Sequence, residues 1–255
     1  ISELIHLFNY AENVVQKPIK IEEVNELVNE LKDLDLAPSK IDIGKLTHEF
    51  KAQKNENPSI SNFLNIQLIN LLGQDKQQFA PQDVVLYGFG RIGRIAAREL
   101  IKQAGKGQQL RLRAIVLRKV DEFQIEKRAA LLRNDSVHGS FNGSIIEDYE
   151  SKALIINGQR VQLIQAVNPE DIDYTRYDIN NALVIDNTGV YRDREALSRH
   201  LISKGTSKVL LTAPGNEVPN IVYGINHQKL DVEDENIFSA ASCTTNAISP
   251  VLKLI

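Results

Sequence analysis

Methionine and tryptophan are absent from these 255 residues, and cysteine occurs once. A lone thiol cannot close an internal disulfide, so a cysteine-stapled scaffold is excluded and a reducing, cytoplasmic setting is expected. A chain that opens on Ile1 and holds no Met differs from a natural reading frame, which points to a trimmed N-terminus. No apolar run approaches the length of a bilayer span, so no membrane partner is expected. The first residues alternate apolar and polar and carry Glu3 and His6, unlike a secretory signal. A net charge of −3 argues against a nucleic-acid surface. No internal repeat, low-complexity tract or metal-ligand cluster is visible, so no metal is expected.

Glycine and arginine are scarce where the chain begins. Residues 1–80 hold no Arg and only Gly44 and Gly73 of the 14 glycines. Eight lysines against twelve acidic residues give that segment −4, while the rest carries +1. Such a segment reads as helical throughout. Ile21, Val24, Leu27, Val28 and Leu31 recur at 3.6-residue spacing. Asp42–Lys54 is a second helix, with Ile43, Leu46 and Phe50 on one side. Ser59 caps a third, with Phe63, Ile66, Leu68, Ile69 and Leu72 apolar and Gly73 as the stop. The polar run Gln74–Gln82 reads as a linker. These helices are a structural appendage or a regulatory, partner-binding element.

From residue 84 strands and helices alternate, which predicts a parallel α/β sheet. Val84–Tyr87 is a strand and Arg94–Ile101 a helix, with Gly88-Phe89-Gly90-Arg91-Ile92-Gly93 between them. This is the G-x-G-x-x-G pattern in the context that gives it meaning. Gly88 allows the tight turn, Gly90 lets backbone approach a pyrophosphate, and Gly93 lets helix and strand pack closely. The plain alternative is a glycine-rich turn without a ligand. Leu112–Leu117 is a strand and Glu122–Arg133 a helix whose Lys127, Arg128 and Arg133 read as a solvated face. Asn157-Gly158 marks a hairpin within Ala153–Gln165. Ala182–Ile185 and Lys208–Leu211 are strands, and Asp193 caps a helix running toward Gly205. His138 reads as structural and His200 as a helix-surface residue.

Cys243 lies in Ser242-Cys243-Thr244-Thr245-Asn246, ahead of Ile248, Val251, Leu252 and Ile255 at helical spacing. That places it in the first turn of a helix, where free N–H groups and the positive dipole end favour a thiolate. Its alternative is an inert, buried cysteine.

GFGRIGR (88–94), NTG (187–189), TAPG (212–215) and SCTTN (242–246) together resemble the phosphorylating glyceraldehyde-3-phosphate dehydrogenases. Asp135-Ser136-Val137-His138-Gly139 and Val222-Tyr223-Gly224-Ile225-Asn226-His227 are similar to further segments of that family. The resemblance covers residues 81–255 and leaves out the first 80. It implies three regions: a helical extension over 1–79, a Rossmann NAD(P)-binding domain over 80–241, and the first helix of a catalytic domain over 242–255. The family's histidine base and substrate-phosphate arginine lie beyond residue 255, so the sequence reads as a fragment, inactive as given.

The resemblance also implies a chemistry. Cys243 attacks the aldehyde to give a thiohemiacetal, hydride transfer to nicotinamide gives a thioester, and inorganic phosphate releases an acyl phosphate. The Cys243 N–H is a candidate oxyanion donor. Ser242 and Thr244 would meet substrate or inorganic phosphate, with helix capping as their plainer role, while Thr245 and Asn246 hold the turn. Gly88, Gly90, Arg91, Ile92, Gly93, Thr188, Gly189 and Thr212 would hold the cofactor, NAD, with NADP accepted. A homotetramer acting on an aldehyde phosphate is implied. Two departures touch the adenosine end. Where an acidic residue is expected after the second strand stand Arg118-Lys119, with Asp121 later, and an expected arginine is replaced near Ala166-Val167. Arg118 is therefore a candidate for the 2′-phosphate of NADP. The alternatives are erythrose-4-phosphate dehydrogenase and a non-catalytic regulatory protein retaining the fold.

Overall fold

The computed structural model describes residues 8, 11–12, 18–37, 39, 41–54, 59–72, 82–105, 110–231 and 233–254. They fall into two compact units, Ile1–Pro81 with Lys102–Gln109, and Gln82–Ile101 with Leu110–Ile255.

The first unit holds helices α1 (Ile21–Lys32), α2 (Ile43–Gln53) and α3 (Ile60–Gln67). Each start is fixed by a side chain. Glu23 accepts the Lys20 N–H at 2.9 Å, Asp42 accepts that of Lys45 at 2.9 Å, and Ser59 accepts that of Asn62 at 3.4 Å. Leu27, Leu46, Phe63, Leu64, Leu68 and Leu71 form the core of this unit. The third helix is shorter than its apolar spacing predicts. It ends at Gln67 and gives way to a tighter turn over Ile69–Leu71, leaving Ile66 and Ile69 exposed. Gly73 and residues 74–81 of the expected linker lie outside the described residues.

The second unit is built on an eight-stranded sheet in the order β10-β9-β8-β1-β2-β7-β6-β5. Its strands are β1 (Gln82–Tyr87), β2 (Leu110–Leu117), β5 (Ile145–Asp148), β6 (Ala153–Ile156), β7 (Gln159–Gln165), β8 (Ala182–Asp186), β9 (Thr206–Leu211) and β10 (Ile237–Ser239). A small separate pair joins β3 (Asn134–Asp135) to β4 (Gly139–Ser140). The six strands from β10 to β7 are parallel, and β6 and β5 add an antiparallel edge. The parallel part has the doubly wound Rossmann order, with the direction of winding reversing between β1 and β8. The β6–β7 turn uses Asn157 and Gly158 at φ +48° and +76°, as a two-residue hairpin requires.

Helices α4 (Arg91–Gln103), α5 (Glu122–Arg133), α6 (Arg194–Ile202) and α7 (Cys243–Leu254) complete the order. Alternate residues of β1 serve the two faces of the sheet. Val84 and Leu86 pack with Ala97, Ile125, Ala129 and Leu132, while Val85 and Tyr87 pack with Ile172, Tyr174 and Ile179. Among the described residues no helix is long and apolar enough to cross a membrane.

Candidate functional site

Gly88 follows β1 at φ +89°, a conformation costly for any residue with a Cβ. A Cβ there would also lie 2.8 Å from Thr188 Cγ2. One on Gly93 would come within 2.5 Å of the Gly88 carbonyl oxygen, so this glycine sets the approach of α4 to the loop. Gly90 differs: a Cβ would meet no protein atom within 4 Å. The space above it is open to a ligand. Arg94 N donates to Gly90 O at 3.1 Å as the first bond of α4, so the preceding N–H groups face the loop. Arg91 and Ile92 stand largely exposed at that end. This loop fits a dinucleotide pyrophosphate.

The end of β8 is organised by Asp186. Its Oδ1 accepts the N–H and the hydroxyl of Thr188, each at 2.7 Å. Its carbonyl accepts the Thr212 N–H at 3.0 Å, and Thr212 Oγ1 lies 3.0 Å from it and 3.2 Å from Asn187 Oδ1. Gly189 follows at φ +68°, its carbonyl held by Arg192 Nε at 2.8 Å. Thr188, Gly189 and Thr212 thus share the carboxyl edge of the sheet with the glycine loop.

Behind this edge the reading of His200 as a helix-surface residue is corrected. Its ring is fully buried, with Nε2 2.9 Å from Asp186 Oδ2. Tyr87 and Tyr191 meet it edge-on at 4.7 and 5.6 Å. His200 follows Leu197 by three residues on the inward face of α6, and the carboxylate supplies the polar partner its burial needs. Among the described residues His200 Nδ1 has no partner, and Nε2 is the ring nitrogen that faces Asp186. The same burial raises the Tyr87 phenol well above its usual range. Sequence reasoning missed Asp186, carried Asn187 only within the NTG run and put His200 on the surface. Their one available signal was the position of Asp186 and Asn187, directly ahead of Thr188-Gly189 at a strand end.

At the end of β2, Arg118 is exposed. Asp121 accepts the Gln124 N–H at 2.8 Å and pairs with Lys119 Nζ at 2.7 Å. Lys119 and the cap hold the Asp121 carboxyl below its usual range. This carboxylate caps α5. Where the second departure stands, Ala166 is buried and Val167 is exposed.

The solvated face assigned to α5 is also corrected. Lys127 is exposed, but Arg133 grips Glu147 with two bonds of 2.7 Å and the Ile145 carbonyl at 2.6 Å. Arg128 is partly buried, its Nη1 3.5 Å from Phe89 O and its Nη2 3.3 Å from Gln124 Oε1. Both long stems lie along the protein while their heads find oxygen. His138 takes the structural place expected of it, with Nδ1 3.0 Å from Asp135 Oδ1. Among the described residues no group of three or more His, Cys, Asp or Glu is placed to hold a metal ion.

The chain reaches Cys243 from β10. Ala240 N donates to Leu211 O at 2.9 Å, next to Thr212, and Ala241 takes φ +59°. Ser242 Oγ accepts the Thr245 N–H at 2.9 Å and lies 2.6 Å from Thr245 Oγ1, so its hydroxyl caps α7. Asn246 Nδ2 donates to the carbonyls of Ala240 and Ser242 at 2.8 and 2.9 Å. Thr245 and Asn246 therefore hold the turn. Cys243 is the first residue of α7 and is exposed, with Thr244 Oγ1 4.0 Å from its sulfur. Ile248, Val251 and Leu252 on α7 are also exposed, and Ile255 lies outside the described residues.

Residues 82–194 match the family described as glyceraldehyde 3-phosphate dehydrogenase, NAD binding domain. A glyceraldehyde-3-phosphate dehydrogenase-like protein of Pseudomonas aeruginosa (strain UCBPP-PA14) is 48% identical over 239 residues, 93% of this chain and 51% of that protein. That match leaves out only 7% of this chain, so it takes in most of residues 1–80. Glyceraldehyde-3-phosphate dehydrogenase 2 of Bacillus subtilis (strain 168) is 35% identical over 173 residues, 68% of this chain and 47% of that protein. Glyceraldehyde-3-phosphate dehydrogenase of Zymomonas mobilis subsp. mobilis (strain ATCC 31821 / ZM4 / CP4) is 33% identical over 174 residues, 68% of this chain and 48% of that protein. The chain spans about half the length of these relatives. The matched segment holds the glycine loop and the strands from β1 to β8, and residues 82–194 are an NAD-binding domain of the glyceraldehyde-3-phosphate dehydrogenase family.

Proposed function

We propose that the chain supplies the coenzyme site and the nucleophile of a phosphorylating glyceraldehyde-3-phosphate dehydrogenase. The observation that carries this reading is the hydrogen-bonded path from the coenzyme edge to Cys243. Thr188 and Thr212 are both tied to Asp186, and Ala240, three residues before Cys243, is tied to Leu211 beside Thr212. In this reading Gly88, Gly90, Arg91, Ile92 and Gly93 receive the pyrophosphate, while Thr188, Gly189 and Thr212 line the nicotinamide end. The Cys243 sulfur attacks the aldehyde carbon, and the carbonyl oxygen becomes the thiohemiacetal oxygen near the first N–H groups of α7. Bound NAD supplies the acceptor for the hydride that leaves that carbon as a thioester forms on Cys243. Inorganic phosphate then attacks the thioester carbon, the Cys243 thiolate leaves, and an acyl phosphate is released. In the same reading Thr244, exposed beside the sulfur, donates to substrate or inorganic phosphate, and Ser242 combines any such role with its cap.

The regions follow as 1–79, 80–241 and 242–255, in a cytoplasmic homotetramer using NAD and accepting NADP. The test uses the whole protein with glyceraldehyde 3-phosphate, inorganic phosphate and NAD, following NADH at 340 nm. Turnover that needs phosphate and disappears in Cys243→Ser is the expected result. Faster turnover of erythrose 4-phosphate would reassign the substrate, and no turnover of either aldehyde would remove the catalytic reading.

A further inference from the structure

Arg128 is charged, partly buried and without a carboxylate partner among the described residues. Its Nε is buried and unpartnered, as is the Nε of Arg94. Asp135, the carboxylate beside Arg94, is already engaged by Arg91, Arg94 and His138 at 3.9, 3.5 and 3.0 Å. Burial and the charge of Arg94 pull the Arg128 guanidinium below its usual range. A desolvated cation without an anion is costly and gains most when an anion arrives. Its position says which anion. Nη1 faces the carbonyl of Phe89, between Gly88 and Gly90, and Nη2 faces Gln124 in the first turn of α5. In a doubly wound fold the adenosine ribose belongs between the glycine loop and the end of β2. The nearby Asp121, which could otherwise reach a ribose and repel a phosphate there, is turned into the α5 cap with Lys119 on its other oxygen. Arg118 stands exposed at the same strand end.

We propose that Arg128, with Arg118 at its outer side, forms a subsite for the 2′-phosphate of a phosphorylated adenine dinucleotide. This rests on the dinucleotide reading above and goes beyond it by naming the residue that discriminates. An arginine fork can hold such a dianion with two bonds, whereas the 2′-hydroxyl of NAD leaves the buried charge uncompensated.

The test is calorimetric titration of the full chain with adenosine 2′,5′-bisphosphate and 5′-AMP, which differ only by the 2′-phosphate. The wild type is expected to bind the bisphosphate about tenfold more tightly. Arg128→Ala is expected to reduce that preference to within about twofold without changing 5′-AMP affinity, and Arg128→Lys to keep part of it. Equal wild-type affinities, or a preference that survives Arg128→Ala, would overturn the assignment. If Arg128→Ala loses both ligands through misfolding, Arg128→Gln decides. A preference kept in that variant overturns the subsite, and one lost with 5′-AMP binding intact supports it. Inorganic phosphate titrated alone separates a free-anion site from a coenzyme site. Phosphate binding that vanishes in Arg128→Ala while the nucleotide preference stays counts against the proposal. Failure of the wild type to bind either nucleotide would instead bring down the dinucleotide reading itself, and the subsite with it.

Discussion

Asp186 and His200 form a buried pair, with Oδ2 and Nε2 2.9 Å apart and neither residue exposed to solvent. The carboxylate uses one oxygen for the imidazole and the other for Thr188, so the depth of the fold and the coenzyme edge meet in a single side chain. Removing the ring leaves Asp186 buried and short of a donor. His200→Ala is expected to lose about 3 kcal/mol of stability, the scale for breaking a buried polar pair from one side. It should also weaken dinucleotide binding through Thr188. Urea unfolding and NAD titration check both, and a loss under about 1 kcal/mol would place the pair outside the supports of the site.

Gly90 and Gly93 separate ligand space from packing space. Gly90→Ala adds a methyl that touches no protein atom, so the fold should survive while dinucleotide affinity falls. Gly93→Ala drives a methyl against the Gly88 carbonyl and should cost about 2 kcal/mol or more in stability as well. Thermal melts with and without NAD distinguish the two. Unchanged NAD affinity in Gly90→Ala would show that the open space is not where the pyrophosphate lies.

Local signals in the sequence predict an element well where a side chain punctuates the backbone. Asp193 caps α6 as its sequence predicts, its carboxylate accepting the Ala196 N–H at 2.8 Å. Asn157-Gly158 turns β6 into β7 as its composition predicts. What polarity alone conceals is the destination of a side chain. His200 is polar and ends a helix, so it reads as surface, yet its burial depends on a carboxylate 14 residues earlier. Arg128 reads as solvated because the loop it reaches is 39 residues away. Such pairings are set by strand order, which helical periodicity does not encode. The third helix failed for a different reason: the apolar run continues past Gln67 although the backbone tightens there.

Asp135 provides an acid-side test. The His138 side chain, then the N–H groups of His138 and Val137, hold its carboxyl well below the usual carboxylate range. A folded-state pKa below the unfolded value, about 3.9, gives stability that is present above that pH and is lost as pH falls toward the folded value. Wild type should therefore lose this contribution progressively below about pH 4, and Asp135→Asn should have none of it to lose. Melting temperatures from pH 6 down to the acid limb measure the difference. Parallel pH profiles for the two proteins would show that the bonds to Asp135 carry no linkage.

Cys243 is expected to react with iodoacetamide near neutral pH faster than free cysteine, because it is exposed and begins α7, beside the free N–H groups of the helix end. Mass spectrometry of timed samples gives the rate. Labelling no faster than free cysteine would argue that the helix end does not activate the sulfur.

The left-handed turn at Ala241 has its own consequence. An alanine at φ +59° is disfavoured by roughly 1 kcal/mol, yet this position holds no glycine. The Ala241 N–H is held by Ser239 Oγ at 2.9 Å, and that oxygen lies 2.6 Å from the Ala213 carbonyl, so the β9 side of the sheet clamps the turn. A glycine would relax the turn but would also release the direction in which α7 leaves the sheet. Aim at this point is obtained from a residue with fewer backbone options, so the framework itself fixes the bearing of the sulfur.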